Sequence, residues 1–263
     1  MKIKHQAKYF DKQWDDMKSA LKAFLKNGDQ EDLHMFRVQV KKLRSFIVLA
    51  DSDTHEVKLA KHFKPVKQIF KQAGIIRDAY NALGLAKAHQ MEQDDFVLDQ
   101  QKIMEDAASD FKLNGDKYLK KLKSTHEEII EHIKPVSDLH INLFYETQLH
   151  HIANSLTEVK FDESLHEART RMKVLIYNYK LVQPVLDAGF NEDYLQDVQS
   201  AIGDWHDNDV AIQLFSGNGS VDKDAVSRLK KKHAKLKNNI SSLVADFYEQ
   251  ATTVTEVPVE QVS

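Results

Sequence analysis

Two stretches of this chain set histidine, arginine and lysine at one shared spacing. Leu33-His34-Met35-Phe36-Arg37-Val38-Gln39-Val40-Lys41-Lys42-Leu43 is answered, 132 positions later, by Leu165-His166-Glu167-Ala168-Arg169-Thr170-Arg171-Met172-Lys173-Val174-Leu175. Both spell Leu-His-x-x-Arg-x-x-x-Lys-x-Leu. Such side chains suit the gripping of anions. Arginine offers a planar fork that can hold two phosphate oxygens, lysine a compact point charge, and histidine a shorter donor whose charge responds to pH near neutrality.

A helix gives the spacing its meaning. At about 100° per residue, with His34 at 0°, Arg37 falls near 300°, Lys41 near 340° and Arg44 near 280°. Leu33, Phe36, Val40, Leu43 and Ile47 then form an apolar stripe at roughly 180–260°. The second copy has the same phase, with His166, Arg169, Lys173 and Lys180 cationic and Leu165, Ala168, Met172, Leu175 and Tyr179 apolar. A charged face is the ordinary condition of a solvated helix. That explanation does not account for the absence of acids from His34 to Ala50, nor for the recurrence. Both histidines lie near the start of their helices, where free backbone N–H groups and the helix dipole favour anions.

A second element recurs. Ala73-Gly74-Ile75-Ile76-Arg77-Asp78 is matched by Ile202-Gly203-Asp204-Trp205-His206-Asp207. A glycine inside a helical pattern costs about 1 kcal/mol against alanine. A close helix–helix approach is the expected compensation, with the aspartate bonding or pairing to a neighbouring helix. Long internal repeats imply two related units packed with pseudo-twofold symmetry.

The elements that must position these residues are helical. The chain has 263 residues, no cysteine, eight glycines and four prolines, and strand signals are nearly absent. The expected class is all-α: two antiparallel four-helix bundles, residues 1–137 and 138–251, followed by a disordered tail, 252–263. In the first half, helices are expected over Gln6–Lys26, up to Ala50, from near Glu56 to His89 with Pro65 early in it, and from Asp94 with a break at Asn114-Gly115-Asp116. In the second half they are expected over Asn142–Leu156, from Ser164 (in capping-box spacing with Glu167), over Asp193–Phe215 and over Asp222–Ala251. A flexible loop is expected at 216–220.

The net charge of −3 gives no general attraction to polyanions, but the charges are segregated. Lys58, Lys61, Lys64, Lys67 and Lys71 share one helix, Lys117, Lys120, Lys121 and Lys123 another, and Arg228, Lys230, Lys231, Lys232, Lys235 and Lys237 a third. Acids gather from Glu92 to Asp110 and at Glu127, Glu128 and Glu131. Such segregation focuses a positive field in one groove. No apolar leader and no run of about 18 apolar residues occurs, so a cytoplasmic protein without a membrane partner is expected.

With both motifs duplicated in order, the sequence resembles the conserved histidine α-helical domain, CHAD, over roughly Gln6 to Ala251. The resemblance implies two four-helix bundles about a pseudo-twofold axis, with a basic surface and central pore that binds inorganic polyphosphate. It implies association with polyphosphate granules. His34 and His166 map onto the family's eponymous histidines, and Arg37, Lys41, Arg169 and Lys173 onto its basic motif residues. The chain departs from an even repeat where His206 stands for Arg77, Ile176 for Arg44 and Val174 for Lys42, so the first copy is the stronger cationic stripe. No CYTH triphosphatase region, which many family members carry, is recognised.

The expected polyphosphate-binding residues are therefore His34, Arg37, Lys41, Lys42, Arg44, Lys64, Lys67, Lys71, Arg77, Lys120, His166, Arg169, Lys173, Lys180, His206, Arg228, Lys231 and Lys235. No cofactor and no catalysis are expected. The chain lacks the phosphate-cradling glycine loop, the nucleophile elbow and any cysteine. A di-iron site would need Glu-x-x-His on two helices plus two further inward carboxylates, and the motif helices, where Glu31–His34 and Glu163–His166 have that spacing, carry arginine and lysine along that face instead. Nucleic acid is the alternative partner, but single-strand binders stack bases on aromatics and neither stripe carries one. Phe10, Phe46, Phe63, Phe70, Phe144 and Phe247 are expected to fill the cores.

Overall fold

The structure is a computed structural model that describes residues 2–53, 58–90, 94–216 and 223–253. Among the described residues all regular elements are helices. Helix α1 (Ile3–Asn27) sets Phe10, Trp14, Met17, Leu21 and Phe24 on one buried face. It ends at Gly28, whose φ of 75° closes the helix with an N–H bond to the Phe24 carbonyl at 2.7 Å, a conformation that glycine adopts without strain. Helix α2 (Gln30–Ser52) carries the first motif, and Leu33, Phe36, Val40, Leu43 and Ile47 are all buried as the stripe predicts.

The expected single helix up to His89 is instead two, α3 (Leu59–His62) and α4 (Lys64–Ala88). Pro65 lacks an N–H and crowds the preceding turn, so the chain bends at Phe63 and restarts. The Asp51 carboxylate accepts from Leu59 N at 2.7 Å and Ala60 N at 2.9 Å, capping α3 across the intervening segment. The expected start near Glu56 lies outside the described residues. Helices α5 (Asp94–Leu113) and α6 (Gly115–His132) divide at Asn114, as expected.

In the second half, α7 (Asp138–Thr157) precedes the second motif helix, α8 (Glu163–Val182). The expected capping box does not form. Asp162 caps α8 instead, its carboxylate accepting from both the backbone N–H and the hydroxyl of Ser164. A short 3-10 turn at Gln183–Val185 leads to α9 (Glu192–Ser216). The expected terminal helix is also two, α10 (Lys223–Leu243) and α11 (Phe247–Thr252). The intervening turn drives Phe247 and Ala251 into the core, and the Ala251 carbonyl accepts from Asn191 N at 2.9 Å. Thr252 is thus helical. Residues 217–222 and 254–263, which include most of the expected loop and tail, lie outside the described residues.

The buried apolar side chains form two large clusters. One runs from Phe10 to Ile133, the other from Val136 to Ala251 with Leu49 added. Each fully buried large side chain stabilises by about 1.5–3 kcal/mol. The two clusters meet where α2 packs on α8. Asn178 spans that junction, its amide donating to the Ser45 and Val174 carbonyls, both at 2.9 Å. The Tyr9 hydroxyl also crosses it, to the Tyr177 carbonyl at 2.8 Å. A third, small cluster of Ala86, Ala211, Phe215, Ala225, Val226 and Leu229 joins the far ends of α4 and α9 to α10. The two halves are thus fastened at a motif-helix seam and at a distal tip.

Candidate anion-binding site

The seam brings the two motifs face to face. Arg37 and Lys41 stand one turn apart on α2, and Arg169 and Lys173 stand one turn apart on α8. All four are half-buried rather than exposed. Burial, then Arg37, Arg169 and Arg77, holds the Lys41 ammonium below its ordinary pKa. Burial, then Arg169 and Lys41, pushes Lys173 down to about 8. Each lysine therefore feels cations from the other half. The fold holds like charges together in a partly dehydrated place, a costly arrangement unless an anion joins them.

The glycine element explains how the arginines are held. On α4, the Arg37 guanidinium lies on Gly74. One terminal nitrogen donates to the Phe70 carbonyl at 3.0 Å, and the guanidinium carbon sits 4.2 Å from the centre of the Phe70 ring. A Cβ on Gly74 would come within 2.7 Å of that nitrogen. On α9, Arg169 lies on Gly203 in the same way. Its Nε donates to the Gln199 carbonyl at 2.9 Å, and a Cβ on Gly203 would meet a terminal nitrogen at 2.6 Å. In both copies the accepting carbonyl belongs to the residue four before the glycine. The expected close approach of two helix backbones is thereby corrected: each glycine makes room for a guanidinium. The aspartate four residues after each glycine, Asp78 or Asp207, acts as counter-charge to that arginine.

The histidines sit one turn further toward the helix starts. Burial lowers the pKa of His34, reinforced by Arg77, Lys41 and Arg37 and opposed by Glu31. In the free protein it thus favours the neutral form. Arg77 donates to the Gln30 carbonyl at 3.2 Å and stacks over Tyr80. In the second copy the corresponding pair is His166 and His206, with ring centres 5.6 Å apart. The expected contribution of the helix starts is corrected. Asp29 and Asp162 cap those N–H groups, and Glu31, Asp32 and Glu163 occupy the first turns, so the chain's own acids already answer both dipoles.

The other expected cations fall outside this cluster. Exposed Arg44 and Lys64 gather around Lys67, whose pKa burial and those two charges lower. Arg228 joins Lys232 beside His89 at the end of α4. Half-buried Lys42 and exposed Lys71, Lys120, Lys180, Lys231 and Lys235 are not among the charges acting on the four seam cations. Of the aromatics expected in the cores, Phe70 is only half-buried and serves Arg37. Its ring and the two accepting carbonyls were missed by sequence reasoning, the carbonyls because backbone atoms leave no mark in residue types. Among the described residues, no group of three His, Asp or Glu side chains is arranged to hold a metal ion.

A family model for the CHAD domain matches residues 8–216. The chain belongs to the CHAD domain family. Among solved structures, it is similar to the CHAD domain from the plant Ricinus communis, with 16% identity over 96% of this chain and 94% of that one and a TM-score of 0.66. That likeness extends the CHAD fold beyond the matched residues, into α10. Comparison with curated proteins gives no match. Among the described residues of this CHAD domain, no helix is long and apolar enough to cross a membrane.

Proposed function

We propose that this CHAD domain binds inorganic polyphosphate, without catalysis, along the seam between two duplicated four-helix halves, residues 1–137 and 138–251. One observation carries the reading: Lys41 and Lys173, from opposite halves, are both partly buried, Lys173 in the field of Lys41 and Arg169 and Lys41 in the field of Arg37 and Arg169. A chain of phosphates would relieve that repulsion and gain affinity by counterion release. The duplication is supported by the matching seats, Arg37 on Gly74 and Arg169 on Gly203. Family membership supports the ligand, and the reading includes cytoplasmic residence with association to polyphosphate granules. Nucleic acid is the alternative ligand of the same cations. It is disfavoured because Phe70, the aromatic ring beside Arg37, is already covered by that guanidinium.

The test is a titration with long-chain polyphosphate, single-stranded DNA and tripolyphosphate at fixed phosphate and fixed salt. Long-chain polyphosphate should bind at least about tenfold more tightly than the DNA. Equal affinities for the three would leave only a general polyanion surface, and release of phosphate from tripolyphosphate with Mg²⁺ would make the domain an enzyme.

A further inference from the structure

Beyond the seam cations, a cavity of about 810 Å³ opens between α4, α5 and α9. Its chemistry changes in a definite order. Helices α2 and α4 run antiparallel here, since Arg37 reaches the Phe70 carbonyl and Arg77 reaches back to the Gln30 carbonyl. Moving away from Lys41 one therefore meets Arg37, then Asp78, then Ala82 and Leu85. The second half repeats the sequence: Lys173, Arg169, Asp207, Val210, Leu214. Asp78 and Asp207 belong to both regions, since they line the cavity and also face the arginines. Past the aspartates the walls are apolar, interrupted by the amides of Asn81 and Gln100 and by the Tyr80 ring, which Arg77 covers on one face only and which is 43% exposed.

A bare phosphate chain has no use for carboxylates or an apolar chamber. The order cation, carboxylate, amide with apolar wall matches another ligand class. Lysine and arginine suit phosphates, and carboxylates accept from the hydroxyls of a ribose, the role an acid plays in dinucleotide sites. Amides can read the edge of a base, and an aromatic ring with aliphatic neighbours can stack its face. The cavity volume lies within the range of small-molecule sites, about 300–1,000 Å³.

We propose that this cavity receives the nucleoside end of a nucleoside polyphosphate whose phosphates lie on the seam lysines. The proposal rests on the polyphosphate reading of those lysines and adds a second ligand class to it. Asp78 and Asp207 then hold the ribose hydroxyls while neutralising the inner side of Arg37 and Arg169. His206, which lines the cavity beside Asp207, stands where phosphate gives way to sugar.

The test compares ATP with tripolyphosphate, which carries similar charge but no nucleoside, by calorimetric titration in the absence of Mg²⁺. ATP should bind about tenfold more tightly. Replacing Ile103 with tryptophan fills the cavity from a position already 44% exposed, so folding should survive. This I103W variant should lose the ATP advantage while its tripolyphosphate affinity stays within about twofold. ATP binding no more tightly than tripolyphosphate would overturn the proposal, as would an ATP advantage untouched by I103W. If long-chain polyphosphate still binds in that case, the cavity assignment fails alone. If it does not, the polyphosphate reading has failed as well.

Discussion

The two arginine seats are alike in plan and differ in how much of the guanidinium they consume. Arg37 donates from a terminal nitrogen and lies against the Phe70 ring. Arg169 donates from Nε, lies near enough to Tyr177 for that hydroxyl to act on its charge, and its two terminal nitrogens have no protein acceptor among the described residues. Sequence alone makes the first half the stronger, since it has more cations along its motif helix. The contacts suggest a division of labour instead. Arg37 commits a terminal nitrogen and a ring contact to α4, while Arg169 commits its Nε and keeps both terminal nitrogens without a protein acceptor among the described residues. Cation count along a helix is thus a poor guide to available charge when one end of an arginine is already bonded.

The largest expected effect comes from erasing the comparison altogether. Replacing both Lys41 and Lys173 with methionine keeps their apolar stems and removes the facing charges. Polyphosphate affinity should fall about a hundredfold, given the loss of two phosphate contacts. The unliganded domain should become more stable at neutral pH, because buried like charges are removed, by about 1 kcal/mol. A thermal melt and a binding titration on the same variant check both signs. If stability and binding fall together, the lysines are structural.

Next is the exchange between the arginines. Arg37→Gln removes a charged hydrogen bond and a cation–π contact and should cost about 2 kcal/mol in denaturant unfolding. Arg169→Gln should cost less stability but more binding than Arg37→Gln. The reverse ranking would restore the first copy as the stronger binder.

A third effect is pH dependence, carried by Lys173. Its folded pKa of about 8 lies below the ordinary lysine value, 10.5. Between those values the unfolded chain binds more protons than the folded one, so stability of the free domain rises with pH through that window. Binding has the opposite sign, because a polyanion favours the protonated amine. The Lys173 contribution to affinity is present below pH 8 and fades above it, about tenfold by pH 9–10, with proton uptake detectable by calorimetry in buffers of different ionisation heat. Lys173→Met should flatten the profile.

The smallest effect is at the seats. An added Cβ at Gly203 or Gly74 meets the tip of an arginine rather than backbone, so alanine should displace the guanidinium without unfolding the domain. Binding should weaken by a few-fold, roughly 1 kcal/mol, and more for Gly203→Ala than for Gly74→Ala. Equal effects would mean that the seats contribute alike.

Much of this was legible in the sequence because helical phase is. The stripe from Leu33 to Ile47 is buried as phased, and the cations His34, Arg37 and Lys41 leave the helix on the other side. What phase does not supply is partnership across elements. That Lys41 meets the field of Arg169 depends on how α2 packs on α8, which no spacing within either helix encodes. The glycines are visible in the sequence as anomalies, but their use is not, because the reach of an arginine from one helix onto another is a side-chain event. The breaks at Phe63 and after Leu243 were missed for different reasons. Pro65 is tolerated in a first helical turn, and here that turn is where α4 starts. The turn before Phe247 is set by the burial of Phe247 and Ala251, a demand of the core rather than of local propensity.

The claim that cations from both halves grip one polyanion is tested most directly by salt dependence. Log affinity for long-chain polyphosphate, plotted against log salt, should fall with a slope near −3 for four contacts at about −0.7 each, and the Lys41→Met, Lys173→Met double variant should halve it. An unchanged slope in the variant would place the polyphosphate elsewhere on the surface and contradict the account.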